Sequence, residues 1–264
     1  MNPPDATLDA PPGRSAPTGR AFAALWSLVW RTRLSPGRLP RLLAVHLLLP
    51  ALALLTVKSG GTEPYLQIVL RLQLMIAMPL LCLINMAAPV RDEAEEGTLA
   101  YLSVRPLNRG VFFLILHGAH LSWLQLNFLL SGLLLLATGF WLGLPGMTGL
   151  ILPFLAAQAT GILAFSGLSA LIGLLTRRYL IVGLLYGAII EIGIGGIPTN
   201  INVLSVGHHV RVVVSSFAPA AELLQANLGH PAVSIAVLLL VGAVTAGAAA
   251  LLYAIREIPI GPES

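Results

Sequence analysis

The sequence predicts an all-α integral membrane protein, and three observations carry that reading. Of the 264 residues, 56% are hydrophobic, only 10% are charged, and mean hydropathy is +0.86. Soluble domains usually carry about 25% charged residues. Apolar runs recur along the chain at lengths near the ~20 residues that a helix needs to cross a bilayer core. The basic residues are dispersed at the ends of those runs, where they fix topology, and no aromatic-studded basic patch points to nucleic acid despite the net charge of +4.

Residues 1–19, rich in Pro, Ala and Gly, lack apolar periodicity and are expected to form a disordered cytoplasmic tail. Residues 20–33, "RAFAALWSLVWRTR", have a ten-residue apolar stretch closed at once by Arg31 and Arg33, with no small-residue cleavage site. A short helix rich in Leu and Trp and flanked by Arg suits the headgroup plane, so an interfacial helix is expected here. Residues 20–264 then read as one transmembrane domain.

Six spans follow within 42–255: about 42–57, 65–89, 111–141, 149–175, 180–200 and 231–255. With the N-terminus inside, one side holds Arg14, Arg20, Arg31, Arg33, Arg38, Arg41, Arg91, Arg105, Arg109, Arg177, Arg178 and Arg256. The other holds Lys58 and Arg211, and Arg71 lies within a span. Twelve against two puts both termini in the cytoplasm under the positive-inside rule. The connection 201–230 is too apolar for a floppy loop, and either dips back into the membrane or forms a short cap helix.

Small residues line several spans. Gly183 and Gly187 form a G-x-x-x-G, Gly161, Ala164, Gly167, Ala170 and Gly173 line the fourth span, and Gly242, Ala246 and Ala250 the sixth. Such stripes let helix backbones approach closely, within one chain or across a homodimer. The lone Cys82 excludes an intramolecular disulfide and a Cys-cluster metal site.

Ionisable groups within spans are the natural functional candidates. Glu191 lies ~20 Å along the fifth span from Arg178, and Arg71 ~30 Å from Arg91, by the 1.5 Å helical rise. A Glu191–Arg71 pair would bridge the fifth and second spans, while Arg71 alone would snorkel outward. Glu191 fits a hydrogen-bonded structural group as well as a substrate or proton contact. His117 and His120 share a helix face but lack an obvious third ligand, so packing or interhelical hydrogen bonding is expected and no metal is assigned. His208, His209 and His230 read as solvated residues of the external connection.

The segment 91–110, "RDEAEEGTLAYLSVRPLNRG", is the sharpest feature. It holds four of the eleven acidic residues. A polar extension of the second span ends at Gly97. Thr98 then caps a short helix at about 98–105 whose Leu99, Tyr101 and Leu102 form an apolar side, and Pro106 stops it. That apolar side packs on the protein itself, on lipid headgroups, or on a cytoplasmic partner.

On Glu96, Gly97, Thr98, Leu99, Leu102, Arg105, Pro106 and Arg109, the segment resembles the cytoplasmic-loop signature of ABC-2 type transporter permeases. The permease of the nitrous-oxide-reductase maturation transporter is a similar group. The resemblance implies the ABC-2 exporter fold, with six transmembrane helices and an N-terminal elbow helix. It implies a multi-pass subunit of a bacterial cytoplasmic (inner) membrane, working as a homodimer with two copies of an ABC ATP-binding subunit. Glu96, Gly97, Thr98, Leu99, Tyr101, Leu102, Arg105, Pro106 and Arg109 would then couple to that ATPase, and an external accessory protein would be compatible. The chain has no G-x-x-x-x-G-K-[ST] phosphate loop. ATP and Mg would therefore belong to the partner, with no catalytic residue, metal or cofactor in this chain. The rival readings are an ion-coupled carrier using Glu191 and Arg71, an intramembrane enzyme, and a non-transporting membrane scaffold.

Overall fold

A computed structural model describes residues 18–34, 47–55, 61–88, 108–196, 200–224 and 229–255. Among these the chain is helical without a strand. The helices are α1 (Thr18–Arg33), α2 (47–55), α3 (Thr62–Ala87), α4 (Arg109–Trp141), α5 (Met147–Leu175), α6 (Tyr179–Gly193), α7 (Val206–Val214), α8 (Ala218–Leu224) and α9 (Pro231–Ile255). α3, α4, α5 and α9 are each long and apolar enough to cross a membrane; α6 is a shorter apolar helix. The four long helices match the expected second, third, fourth and sixth spans within a few residues, whereas α6 begins where the fifth was expected but ends at Gly193, short of 200. Of the expected first span, only 47–55 is described. The segment 98–105 and the 1–17 part of the tail lie outside the described residues.

Local chemistry explains where the helices begin and change winding. α4 starts at Asn108, whose side chain accepts from the Gly110 N–H at 2.9 Å, occupying one of the donors that a helix N-terminus leaves without an intrahelical partner. α5 follows a turn in which Gly143 and Gly146 take φ of 67° and 76°, a left-handed region open to glycine. α3 is wound as a π-helix over Gln67–Ala77, and the Met78 N–H reaches back five residues to Gln73 O. Pro79, next in line, has no N–H to give, and its ring excludes the normal carbonyl beneath it; the wider turn accommodates both.

α5 is the hub. It packs against α9, α3, α7 and α4, and the small residues read from the sequence face one another there. A Cβ on Gly167 would lie 2.7 Å from Gly242 O, and one on Gly242 2.8 Å from Leu163 O. Gly173 closes on the Ala87 backbone in the same way. Helices in an apolar medium gain little from excluding water, so this close backbone approach supplies the packing that holds them. Gly183 meets Leu83 of α3, whereas a Cβ on Gly187 would meet nothing within 4 Å.

The amphipathic α1 lies along α4. Leu25 and Val29 are buried while Phe22 and Leu28 are exposed. Trp30 stands edge-on to Trp123 and donates from Nε1 to Ser122 Oγ at 3.3 Å. Arg33 donates to Asn85 Oδ1 of α3 at 3.1 Å and lies 3.4 Å from His120 Nδ1.

Gly242→Val should cost about 1–3 kcal/mol through overpacking, read as a lower thermal-unfolding midpoint of the detergent-solubilised protein. Gly187→Ala, with open space around it, should leave that midpoint unchanged.

Candidate functional site

A polar cluster assembles around Glu191 at the junction of α6 and α7. After Tyr186, α6 widens into a π-wound turn over Gly187–Gly193, continues as a 3₁₀ turn to Gly196, and a second 3₁₀ turn, Asn200–Leu204, leads into α7. Ser205 is the N-cap of α7: its backbone is extended and its Oγ accepts from the His208 N–H at 3.0 Å. The next two N–H groups go to Glu191. Val206 donates to Oε1 at 3.1 Å and Gly207 to Oε2 at 2.7 Å. Tyr186 donates its hydroxyl to Oε1 and Ser205 donates its own to Oε2, both at 2.6 Å. The carboxylate thus collects four donors at the positive end of a helix, a strong environment for an anion.

Two glycines make room for it. A Cβ on Gly207 would sit 2.8 Å from Glu191 Oε2, and one on Gly195 2.7 Å from Ser205 Oγ. Arg211, one turn along α7 from Gly207, donates to Gly195 O and so ties the 3₁₀ turn back to α7. Its guanidinium is near enough to Glu191 for the two charges to attract.

α7 sits inside the bundle. Val206, Val210, Val212, Val213 and Val214 are buried, and Val210 reaches Gly161, the central residue of α5. Within the 201–230 connection, α7 is a short helix packed against α5 and α9. His208 and His209 are therefore buried, contrary to the expectation of solvated loop residues; His230 is exposed. His209 contacts Ser234 Oγ at 3.1 Å and Val203 O at 3.0 Å. Burial, then the neighbouring His209 and Arg211, push the His208 imidazole down to about 4, which keeps it neutral near pH 7.

The Glu191–Arg71 pair is not formed. Arg71 is exposed and donates to Leu223 O of α8 at 3.0 Å, while Glu191 takes its donors from its own helix and α7. His117 stacks on Phe113 and His120 faces Arg33, so the two make packing and interhelical contacts. No group of three potential metal ligands occurs among the described residues.

Of the proposed coupling residues, Arg109 is described: it is exposed at the first position of α4. Glu96, Gly97, Thr98, Leu99, Tyr101, Leu102, Arg105 and Pro106 lie outside the described residues. The ends that carry this loop, Ala87 and Arg109, belong to one end of the bundle. Ala87 lies against Gly173, and Gly110 against Ala250 and Ala254.

Fold and site together define a helical membrane protein with a polar cluster on a helix that starts inside the bundle. Compared with known proteins, the chain matches no family model, no curated protein and no solved structure.

Ser205→Ala removes the cap of α7 and one of the four donors to Glu191. A loss of about 1 kcal/mol is expected from the cap alone, measured as a shift of the unfolding midpoint in detergent.

Proposed function

We propose that the chain is the transmembrane subunit of an ATP-driven ABC-2 type transporter, an exporter, working as a homodimer with two separate ATP-binding subunits. The observation that carries this reading is the 91–110 segment. It pairs an acidic helix extension with a Gly-Thr-Leu start and an Arg-Pro stop, between two apolar spans.

The surrounding helices support it. α1 is braced against α3 by Arg33 at Asn85, two residues before the end from which the loop leaves, and against the middle of α4 by Trp30. A push on the loop would therefore reach α3 and α4 directly, and α5 and α9 through the Gly173–Ala87 and Gly110–Ala250 contacts. In this reading Leu99, Tyr101 and Leu102 grip a cleft of the ATPase. Arg105 and Arg109 pair with its carboxylates, and Pro106 stiffens the join to α4. Six spans with both termini inside complete the picture, α2 being part of the first and α6 with its 3₁₀ turn the fifth.

Against an ion-coupled carrier that pairs Glu191 with Arg71, the two groups take their hydrogen-bond partners elsewhere. Its four donors support a role in holding α6 to α7.

Replacing Leu99, Tyr101 and Leu102 with Asp should release a nucleotide-hydrolysing subunit that co-purifies with the wild-type chain, while membrane insertion stays intact. Undiminished co-purification of that subunit would remove the coupling role, and wild-type membranes yielding no such subunit would remove the transporter reading.

A further inference from the structure

α6 and α7 are held in very different ways. α7 is anchored by apolar packing along its length, through Val206, Val210 and Val212–Val214. On the α-wound part of α6 only Gly183 is buried, and the π-wound half, Gly187–Gly193, has no buried residue; Ile192 is 77% exposed. Hydrophobic contact therefore does little to fix residues 187–196. Their polar ties do that work: the Glu191 carboxylate on the first N–H groups of α7, and Gly195 O on Arg211. Both ties lead to α7, and the missing side chains of Gly195 and Gly207 leave the gap in which the carboxylate and Ser205 meet.

We infer that Glu191 is a positioning residue, a latch that fastens the far half of α6 to the packed helix α7. Opening it frees residues 187–196 and the first turn of α7, and leaves the remainder of α7 seated on α5 and α9. The exposed, π-wound backbone of α6 is the element that moves, because a wide turn with four glycines nearby (Gly187, Gly193, Gly195, Gly196) resists bending least. This inference stands on the geometry alone and does not depend on the transporter reading.

The selectivity of the latch for a carboxylate follows from the donor set. Two N–H groups point at fixed places, and neither can reverse its role. An amide at position 191 keeps one acceptor oxygen but turns an NH₂ toward the Gly207 N–H, so donor meets donor. An alanine leaves four donors facing a gap that a small carboxylate would fill.

The test is hydrogen–deuterium exchange, read by mass spectrometry on the full chain in nanodiscs. Glu191→Ala should raise exchange roughly tenfold or more across 187–196 and 205–208, the scale set by losing charged hydrogen bonds, with 210–214 staying at the wild-type rate. Gly207→Ala, which fills the gap while keeping the acid, should give the same regional pattern. It also covers the case in which Glu191→Ala does not fold. Added sodium formate should restore protection at 205–208 in Glu191→Ala, and sodium chloride should not. Wild-type exchange in both variants overturns the latch. A rise spread evenly through 210–214 also overturns it, since Glu191 would then merely support α7 as a whole. Protection that formate fails to restore overturns the carboxylate seat.

Discussion

The close approach of α5 and α9 is the constraint on which the other contacts depend. Gly167 and Gly242 bring the two backbones together at a distance that a methyl group on either would prevent. With that seam fixed, α5 can present its other sides to α3, α4 and α7, and Val210 and Met78 can both reach Gly161 at the middle of α5. Leu and Ile cannot replace this arrangement, because lipid tails offer them the same contacts that a neighbouring helix does. The large apolar side chains accordingly divide between a central cluster around Phe154, Leu150 and Met78 and an outward surface rich in Leu.

Polar groups inside such a bundle are tolerated where a partner is built in. Tyr65 donates its hydroxyl to Leu135 O at 2.7 Å, in space kept open by Gly139. Gln73 of α3 and Ser131 of α4 face each other at 3.5 Å, and Ser166, Thr160 and Thr245 turn back to carbonyls of their own helices. A buried hydroxyl or amide without a partner costs roughly 1–3 kcal/mol, so each of these short-range solutions matters to a bundle that gains little from hydrophobic exclusion. Glycine again creates the room, this time for a polar side chain instead of a backbone.

Much of this was legible in the sequence. Runs such as 231–255, nearly uniform in apolar residues, leave little choice but a helix, and α3, α4, α5 and α9 fall where hydropathy puts them. The stripe of Gly161, Gly167 and Gly173 was legible as a packing face because its spacing keeps one side of a helix small. Two things were hidden. The winding change in α3 depends on how Pro79 is relieved by the turn before it, and composition does not say whether a kink or a wide turn results. The burial of His208 and His209 was hidden because "VGHHVRVVV" is too short for a hydropathy window, and two adjacent imidazoles read as solvent-facing. One signal was available: Ser205 followed by a Val-rich run with apolar residues at 206, 210, 213 and 214 is a capped amphipathic helix, and its apolar face needed a bundle to cover it. The role of Glu191 was visible only as a question, since the partner it finds, fourteen to sixteen residues further on, comes from a chain reversal that spacing does not encode.

That partner also explains why an acid belongs at this depth. A helix that begins at the surface has its first N–H groups satisfied by water. α7 begins inside the bundle, beside Glu191, and its leading donors would be stranded there. Ser205 can serve only the third of them, His208 N–H. Val206 and Gly207 need an acceptor with two oxygens spaced like a carboxylate, arriving from another segment, and a neutral amide would bring a donor along with its oxygen. The helix dipole offsets the charge that this acceptor carries, and the hydroxyls of Tyr186 and Ser205 occupy its remaining lone pairs. A charge that looks costly in an apolar span is thus the consequence of starting a helix in its interior. Arg71, which donates to Leu223 O of α8, is not among its partners.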